Sequence, residues 1–231
     1  LGGVEIKLSG AVDTTIISDE NGSFQTANLV AAENYTVSLE KNTNPVNGVT
    51  TLDIVLISKH ILGIDTFTTN YQQIAADVNQ SGAITTFDLV QMRQLILGIN
   101  DRFPNAPSWV FDPAQVMVSS LSELGELSFT GIKMGDLNGS ASPNDLLIAE
   151  KRARPDVLAL SIADQKFDVG EVVQLAINTA DLQNIQGYQF SLTFDTDFLT
   201  INNVDEKDLN QLYGGHFNLK WKDEGILSTS W

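Results

Sequence analysis

The stretch "DVNQSGAITTFD", residues 77–88, places oxygen-bearing side chains at its first, third, fifth, ninth and twelfth positions: Asp77, Asn79, Ser81, Thr85 and Asp88. Gly82 stands at the sixth position and the apolar Ile84 at the eighth. Calcium takes about six to eight hard oxygen ligands, and a loop of this length wraps the ion only if its sixth residue turns sharply. The expected ligand set is therefore the side chains of Asp77, Asn79 and Ser81, the carbonyl of Ala83, Thr85 directly or through water, and Asp88 as the closing carboxylate. Gly82 makes the turn, and Ile84 points inward as a core anchor. The alternative is an Asx-rich turn that caps a helix and holds no metal, since Asp, Asn and Ser favour such turns.

The loop is one copy of an internal repeat. "NTNPVNGVTTLDIVLISKHILGI" (42–64) aligns with "DVNQSGAITTFDLVQMRQLILGI" (77–99) at a constant offset of 35 residues, without a gap. Each copy reads as a loop followed by a helix of about three turns, ending at Gly63 or Gly98, where glycine takes a left-handed C-terminal cap. Neither helix can bury its apolar side alone, but two related by pseudo-symmetry can bury them on each other. The first copy is poorer in ligands, with Asn42, Asn44 and Val46 at its first, third and fifth positions and Asp53 as its single carboxylate. Asn47 falls at its turn position, which Asn tolerates because it visits the left-handed region. A loop held by hydrogen bonds alone is the alternative to a metal site there. A third fragment, "GDLNGS" (135–140), repeats the opening of such a loop with Asp136, Asn138 and Ser140, but Leu147 stands where the closing carboxylate would be. It is either a plain turn or a half-loop that lends oxygens to the first copy.

The chain has 231 residues and a formal charge of −16, from 29 Asp plus Glu against 13 Lys plus Arg. Such a surface repels phosphate backbones and anionic lipid, so neither nucleic acid nor membrane insertion is expected, and it suits a protein living among divalent cations. There is no cysteine, which excludes disulfides, thiolate metal sites and Cys nucleophiles. No apolar run approaches the roughly 20 residues that span a bilayer. The chain opens on Leu1 inside a strand-like pattern and stops inside another, "GILSTSW", so it reads as a fragment or processed product. Missing closing strands would follow from truncation or from strand donation by a neighbouring chain.

Catalysis is not expected. His60 and His216 lie in different regions, and His60, in "SKHILG", reads as a satisfied or surface histidine. No nucleophile elbow, zinc-protease helix or phosphate-cradling glycine loop is present. "YGGHF" (213–217) reads as a hairpin turn.

The flanks differ from the helical middle. Residues up to about 40 alternate apolar and polar through Val4, Ile6, Leu8, Ile16, Phe24, Tyr35, Val37 and Leu39, broken by turn signals. After about 157, "DVLALSIA", "EVVQLAIN", "GYQFSLTF", "FLTINNV" and "FNLKW" are strand candidates. The expected architecture is thus multidomain: a small all-β sandwich over 1–40, an α-helical module of paired calcium loops and helices over 41–145, a linker over 146–156, and an apparently incomplete all-β sandwich over 157–231. The linker is read from "SPNDLLIAEKRARP", which carries Lys151, Arg152 and Arg154.

The segments "NGVTTLDIVLISKHILG", "AADVNQSGAITTFDLVQMRQLILG" and "GIKMGDLNGSASPN" resemble a dockerin module, specifically the divergent dockerin-like module of large secreted surface proteins of Bacteroidetes-type bacteria. The resemblance implies Ca²⁺ at Asp77, Asn79, Ser81, Ala83, Thr85 and Asp88, with Ser81 departing from the usual acidic fifth position. "VEIKLSG" with "SDENGSFQTANLVAAENYTVSLEK" is similar to β modules of the carboxypeptidase-regulatory or Cna-B type, in which "D-x-N-G-x-F" makes a hairpin. Some of those modules form Lys–Asn isopeptide bonds, for which Lys7 would be the lysine. "LSIADQKFDVGEVVQLAINTADLQNIQGYQFSLTFDTDFLTI" looks like the first half of a cohesin-like sandwich, and cohesins are the binding partners of dockerins. These resemblances imply a calcium-stabilised structural segment of a secreted or cell-surface adhesin, matrix protein or filament. The alternative is a recognition module, binding protein in the dockerin–cohesin manner or carbohydrate through Tyr188, Tyr213, Trp221 and Trp231.

Overall fold

Thr50 and Thr85 each start a helix for the same reason. Both sit in extended backbone, and the carboxylate three residues on, Asp53 or Asp88, accepts the threonine N–H at 2.8 Å. In a computed structural model of the chain, which describes residues 1–26, 34–119, 127–144, 159–179, 185–205 and 216–230, these helices are α1 (Thr51–Ile61) and α3 (Thr86–Ile96). Between them lies a short helix that the apolar spacing did not announce, α2 (Asn70–Ala76), capped by the Thr69 hydroxyl accepting the Gln72 N–H. Both long helices end in the same two-bond turn. Gly63 N–H reaches the His60 carbonyl and Ile64 N–H the Lys59 carbonyl, while Gly98 and Ile99 repeat this with Leu95 and Gln94. The glycines take φ of +70° and +72°, as this C-terminal motif requires.

The repeat buries itself as expected. Ile54 and Ile57 of α1 meet Met92 and Leu95 of α3 in one core with Val49, Val78, Phe103 and Met134. Val49 and Ile84 are the eighth residues of their loops, the first fully buried and the second half-buried against that core.

The N-terminal sheet is built from β1 (Glu5–Gly10), β2 (Thr14–Ile17) and β3 (Tyr35–Glu40). After α3 the chain forms β4 (Trp109–Asp112), β5 (Gln115–Val118) and β6 (Thr130–Lys133). The strand order β2-β1-β3-β5 is antiparallel throughout. The sheet thus extends past residue 40, because "QVMV" alternates like a strand and its Val118 closes the core of Val4, Ile6, Leu8, Tyr35 and Val37. Among the described residues, the middle segment is helical only between residues 51 and 96, and β4 pairs with β6 beyond it. Asp19 folds the "DENGSF" turn by accepting the N–H groups of Asn21 and Ser23, with Gly22 at φ +83°. Lys7 pairs with Glu40 and Glu5 on the sheet surface.

Toward the C-terminus, β7 (Ser161–Ile162) and β8 (Ile177–Asn178) form a short exposed pair. A three-stranded sheet follows in the order β10-β11-β9, from β9 (Gln189–Thr193), β10 (Phe217–Asn218) and β11 (Ile226–Ser230). The stretch 198–204, a strand candidate by pattern, is not a strand. The linker over 146–156, and Tyr213, Gly214 and Gly215 of "YGGHF", lie outside the described residues. Among the described residues, no helix is long and apolar enough to cross a membrane.

Candidate metal centre

The 77–88 loop folds around the Asp77 carboxylate. One oxygen accepts the Ser81 N–H at 2.9 Å, and the other accepts the Gly82 N–H at 2.7 Å. Asn79 Oδ1 also accepts the Ser81 N–H, at 2.8 Å. The Ser81 hydroxyl donates to the Ala83 carbonyl at 3.1 Å and lies 3.5 Å from Asp77 Oδ1, so the first, fifth and seventh positions bring their oxygens together. Gly82 at φ +83° makes the turn, and no atom outside the adjoining chain stands within 4 Å of where its Cβ would be.

Asp88 closes the loop from inside α3. It is 0% exposed. Its Oδ2 accepts the Thr85 N–H at 2.8 Å and the Thr85 hydroxyl at 3.2 Å, while its Oδ1 accepts only a long bond, 3.3 Å, from the Asn79 N–H. The Thr85 hydroxyl is therefore spent on capping: it also accepts the Phe87 N–H at 3.2 Å.

The donor set fits a hard divalent cation. It comprises two carboxylates with an amide oxygen, a hydroxyl and a carbonyl, all oxygen, and among the described residues neither carboxylate pairs with a Lys or Arg. An ionised carboxylate as buried as Asp88 is costly unless a positive charge compensates it. Among the described residues, no group of three or more His, Cys, Asp or Glu gathers for a metal, so any ion here relies on two carboxylates and neutral oxygens.

The first loop is organised differently. Asn42 turns its amide oxygen to Ser108, accepting the backbone N–H at 2.9 Å and the hydroxyl at 3.1 Å. Asn44 sits in a tight turn at φ +47°, and Gly48 rather than Asn47 takes the left-handed position, at φ +76°. The expected turn at Asn47 falls one residue later, on the glycine, which takes positive φ without a Cβ clash; the Asn47 side chain bonds Ser142. Asp53, 0% exposed, accepts the Thr50 N–H and hydroxyl on Oδ2 and the Leu137 N–H on Oδ1, each at 2.8 Å. Asp136 and the 136–141 turn thus lie beside Asp53, whereas the Asn42 side chain is taken up by Ser108. Burial pushes the Asp53 carboxyl up, its hydrogen bonds oppose this, and the Asp136 charge adds to the rise. Lys133 is buried nearby, donating to the carbonyls of Pro45 (2.8 Å) and Met134 (3.1 Å). Burial lowers its pKa to about 8 against the pull of Asp136 and Asp53.

The two histidines lie apart, His60 in the last turn of α1 and His216 beside β10, where neither of its ring nitrogens has a hydrogen-bond partner among the described residues. His60 Nδ1 accepts the Phe67 N–H at 3.0 Å and its ring stacks on Phe67 at 4.2 Å. His216 is buried in the C-terminal sheet region. Of the aromatics considered for carbohydrate, Tyr188 stacks on Phe190 and Trp221 lies under the Lys220 ammonium, while Tyr213 and Trp231 are outside the described residues.

With this geometry in hand, comparison with known families is specific: residues 46–97 match the Dockerin type I domain. The middle of the chain is therefore a dockerin-type module, covering the paired loops and helices from the fifth position of the first loop to the end of α3. No curated protein and no solved structure matches the chain. Dockerin domains are non-catalytic, typically bind calcium, pair with cohesins and occur in extracellular proteins.

Proposed function

We propose that this chain is a non-catalytic, calcium-stabilised recognition segment of a larger extracellular protein, in which the dockerin-type helix pair is a docking face for β strands. One observation carries the reading: the chain's own last strands sit on that face. Across 179 residues the Thr51 hydroxyl lies 3.1 Å from that of Ser230, and it lies 3.4 Å from Gln189 Oε1. From the neighbouring strand β10, the Asn218 amide donates to the carbonyl of Leu97, just past α3, at 2.6 Å. Thr229 and Ser230 are buried there.

The repeat supports a second, equivalent contact. Thr86 and Leu62 occupy in one copy the places of Thr51 and Leu97 in the other, and both are exposed, Leu62 at 71%. A C-terminal sheet from another copy has a matching place to dock, which favours self-assembly in a cell-surface filament or matrix. Within this proposal the flanks are a carboxypeptidase-regulatory or Cna-B-like unit over 1–40, extended by β5, and a partial cohesin-like sandwich over 157–231, in a protein of Bacteroidetes type. The ion at 77–88 would be held by Asp77, Asn79, Ser81, Ala83 and Asp88, with Thr85 as the cap behind it. Calcium there supplies cross-linking of loop oxygens and no reaction chemistry.

The test is sedimentation of the 231-residue chain over a range of concentrations, with calcium and with chelator. Concentration-dependent assembly that needs calcium and is lost in Leu62→Asp is expected. A strictly monomeric chain under both conditions would overturn self-pairing.

A further inference from the structure

The turn at 136–141 repeats the carboxylate bonds that open the 77–88 loop, without the Asn79–Ser81 bond. Asp136 Oδ1 accepts the Ser140 N–H at 3.1 Å and Oδ2 accepts the Ala141 N–H at 2.8 Å, matching the bonds of Asp77 with Ser81 and Gly82. The fourth position is left-handed in both, Gly139 at φ +70° and Gln80 at φ +56°. Beyond the sixth position the parallel leaves the 136–141 segment and continues in another part of the chain. Ser140 donates its hydroxyl to the Gly48 carbonyl at 3.2 Å across 92 residues, as Ser81 does to the Ala83 carbonyl at 3.1 Å. Gly48 and Ala83 are equivalent seventh positions under the 35-residue offset. Where Gly82 and Ala83 are joined by a peptide bond, Ala141 and Gly48 are pressed together, and a Cβ on Gly48 would meet Ala141 backbone and side-chain atoms at 2.7 Å.

The closing half matches too. The Thr50–Asp53 bonds repeat those of Thr85 with Asp88, and the spare oxygen of each carboxylate accepts a backbone N–H from the opening half, Leu137 for Asp53 and Asn79 for Asp88. Two carboxylates, Asp53 and Asp136, lie within electrostatic reach of the Lys133 ammonium, and among the described residues neither forms an ion pair. Lys133 spends its donors on carbonyls.

We infer that the chain holds a second calcium site assembled from two distant segments: Asp136, Asn138 and Ser140 supply its opening half, and the Gly48 carbonyl and Asp53 its closing half, behind the Thr50 cap. The first loop keeps its closing half and gives up its own opening half, Asn42 and Asn44, to bracing and turn formation. This inference rests on the reading of 77–88 as a calcium loop. Its consequence differs: an ion here ties α1 to the strand region around β6, whereas an ion at 77–88 ties residues of one loop.

Calorimetric titration of the whole chain with calcium decides the matter. Two equivalents are expected in the wild type, one in Asp136→Asn and one in Asp77→Asn. Asn138→Ala, at an exposed position that leaves the fold intact, is expected to weaken one of the two equivalents about ten-fold and spare the other. A single equivalent, lost in Asp77→Asn and untouched by Asp136→Asn and Asn138→Ala, would overturn the split site, leaving Lys133 to neutralise the cluster and the 77–88 reading standing. No calcium heat at all would overturn both.

Discussion

Asn47 and Ser142 bond in both directions across 95 residues: the Asn47 amide donates to the Ser142 carbonyl at 2.7 Å, and its oxygen accepts the Ser142 N–H at 3.0 Å. A side-chain amide here does the work of a strand neighbour, holding the 136–142 segment against the first loop. Asn47→Ala removes both bonds and leaves a part-buried backbone pair to be satisfied by water. A loss of about 1–2 kcal/mol is expected. Faster hydrogen exchange at the Ser142 amide, with the 77–88 loop unchanged, would check it; unchanged exchange would show that the pair contributes nothing.

Calcium should raise the melting temperature, because an ion bound only by the folded state stabilises it by mass action. Two carboxylates completed by neutral oxygens predict a dissociation constant on the order of 10⁻⁴ to 10⁻⁶ M. At about a hundred-fold excess over that constant the gain is about 2.7 kcal/mol. Asp88→Ala should abolish the part of the rise that belongs to this loop. It should also lower the calcium-free melting temperature, since Asp88 helps cap α3, an effect of about 0.5–2 kcal/mol. Melting curves with and without chelator separate the two losses.

Gly63 offers a backbone test free of packing. Its φ is +70°, and no atom lies within 4 Å of where its Cβ would stand. Gly63→Ala should therefore cost only the left-handed penalty, about 1–2 kcal/mol. Gly48→Ala should cost much more, because there the new Cβ meets Ala141 at 2.7 Å. Comparison of the two variants by urea unfolding tests this ranking.

His60 serves as a stacked acceptor, and His60→Phe keeps the ring against Phe67 while leaving the Phe67 N–H without its partner. A cost of about 1–2 kcal/mol is expected. The helix C-terminus itself should hold, since Gly63 and Ile64 make the capping bonds. Amide exchange at Phe67, rather than at Ile64, is where the loss should appear.

The helix pair was legible because its signals recur: Thr-Thr at the helix start, Asp three residues after the cap, and "ILGI" at the helix end stand in both copies. Repetition at one offset distinguishes such spacing from chance. Other features carried weaker signals. At seven residues α2 is too short to display a helical period, and its burial of Ala75 and Ala76 depends on tertiary packing. Strand β5 looked like part of the helical module because only its pairing with β3 assigns it to the sheet. The half-loop at 136–141 was visible as a fragment, but no spacing rule links Ser140 to Gly48, since that contact is made in three dimensions. The turn falls on Gly48 rather than Asn47 because glycine takes positive φ more cheaply than asparagine.

The pairing of β3 with β5 makes the dockerin-type module an insertion within a sheet. Ser38 faces Gln115 in the ladder, and the helices lie in the chain between them. While the insert is folded, its two ends are already held near each other and the sheet closes at little entropic cost. If the insert melts, the same pair of strands must close a flexible loop of that length, a penalty of roughly 4 kcal/mol from loop-closure entropy. The N-terminal sheet therefore senses the state of a module it need not touch at the ion, and unloading the metal should loosen β5 before it loosens β1 and β2.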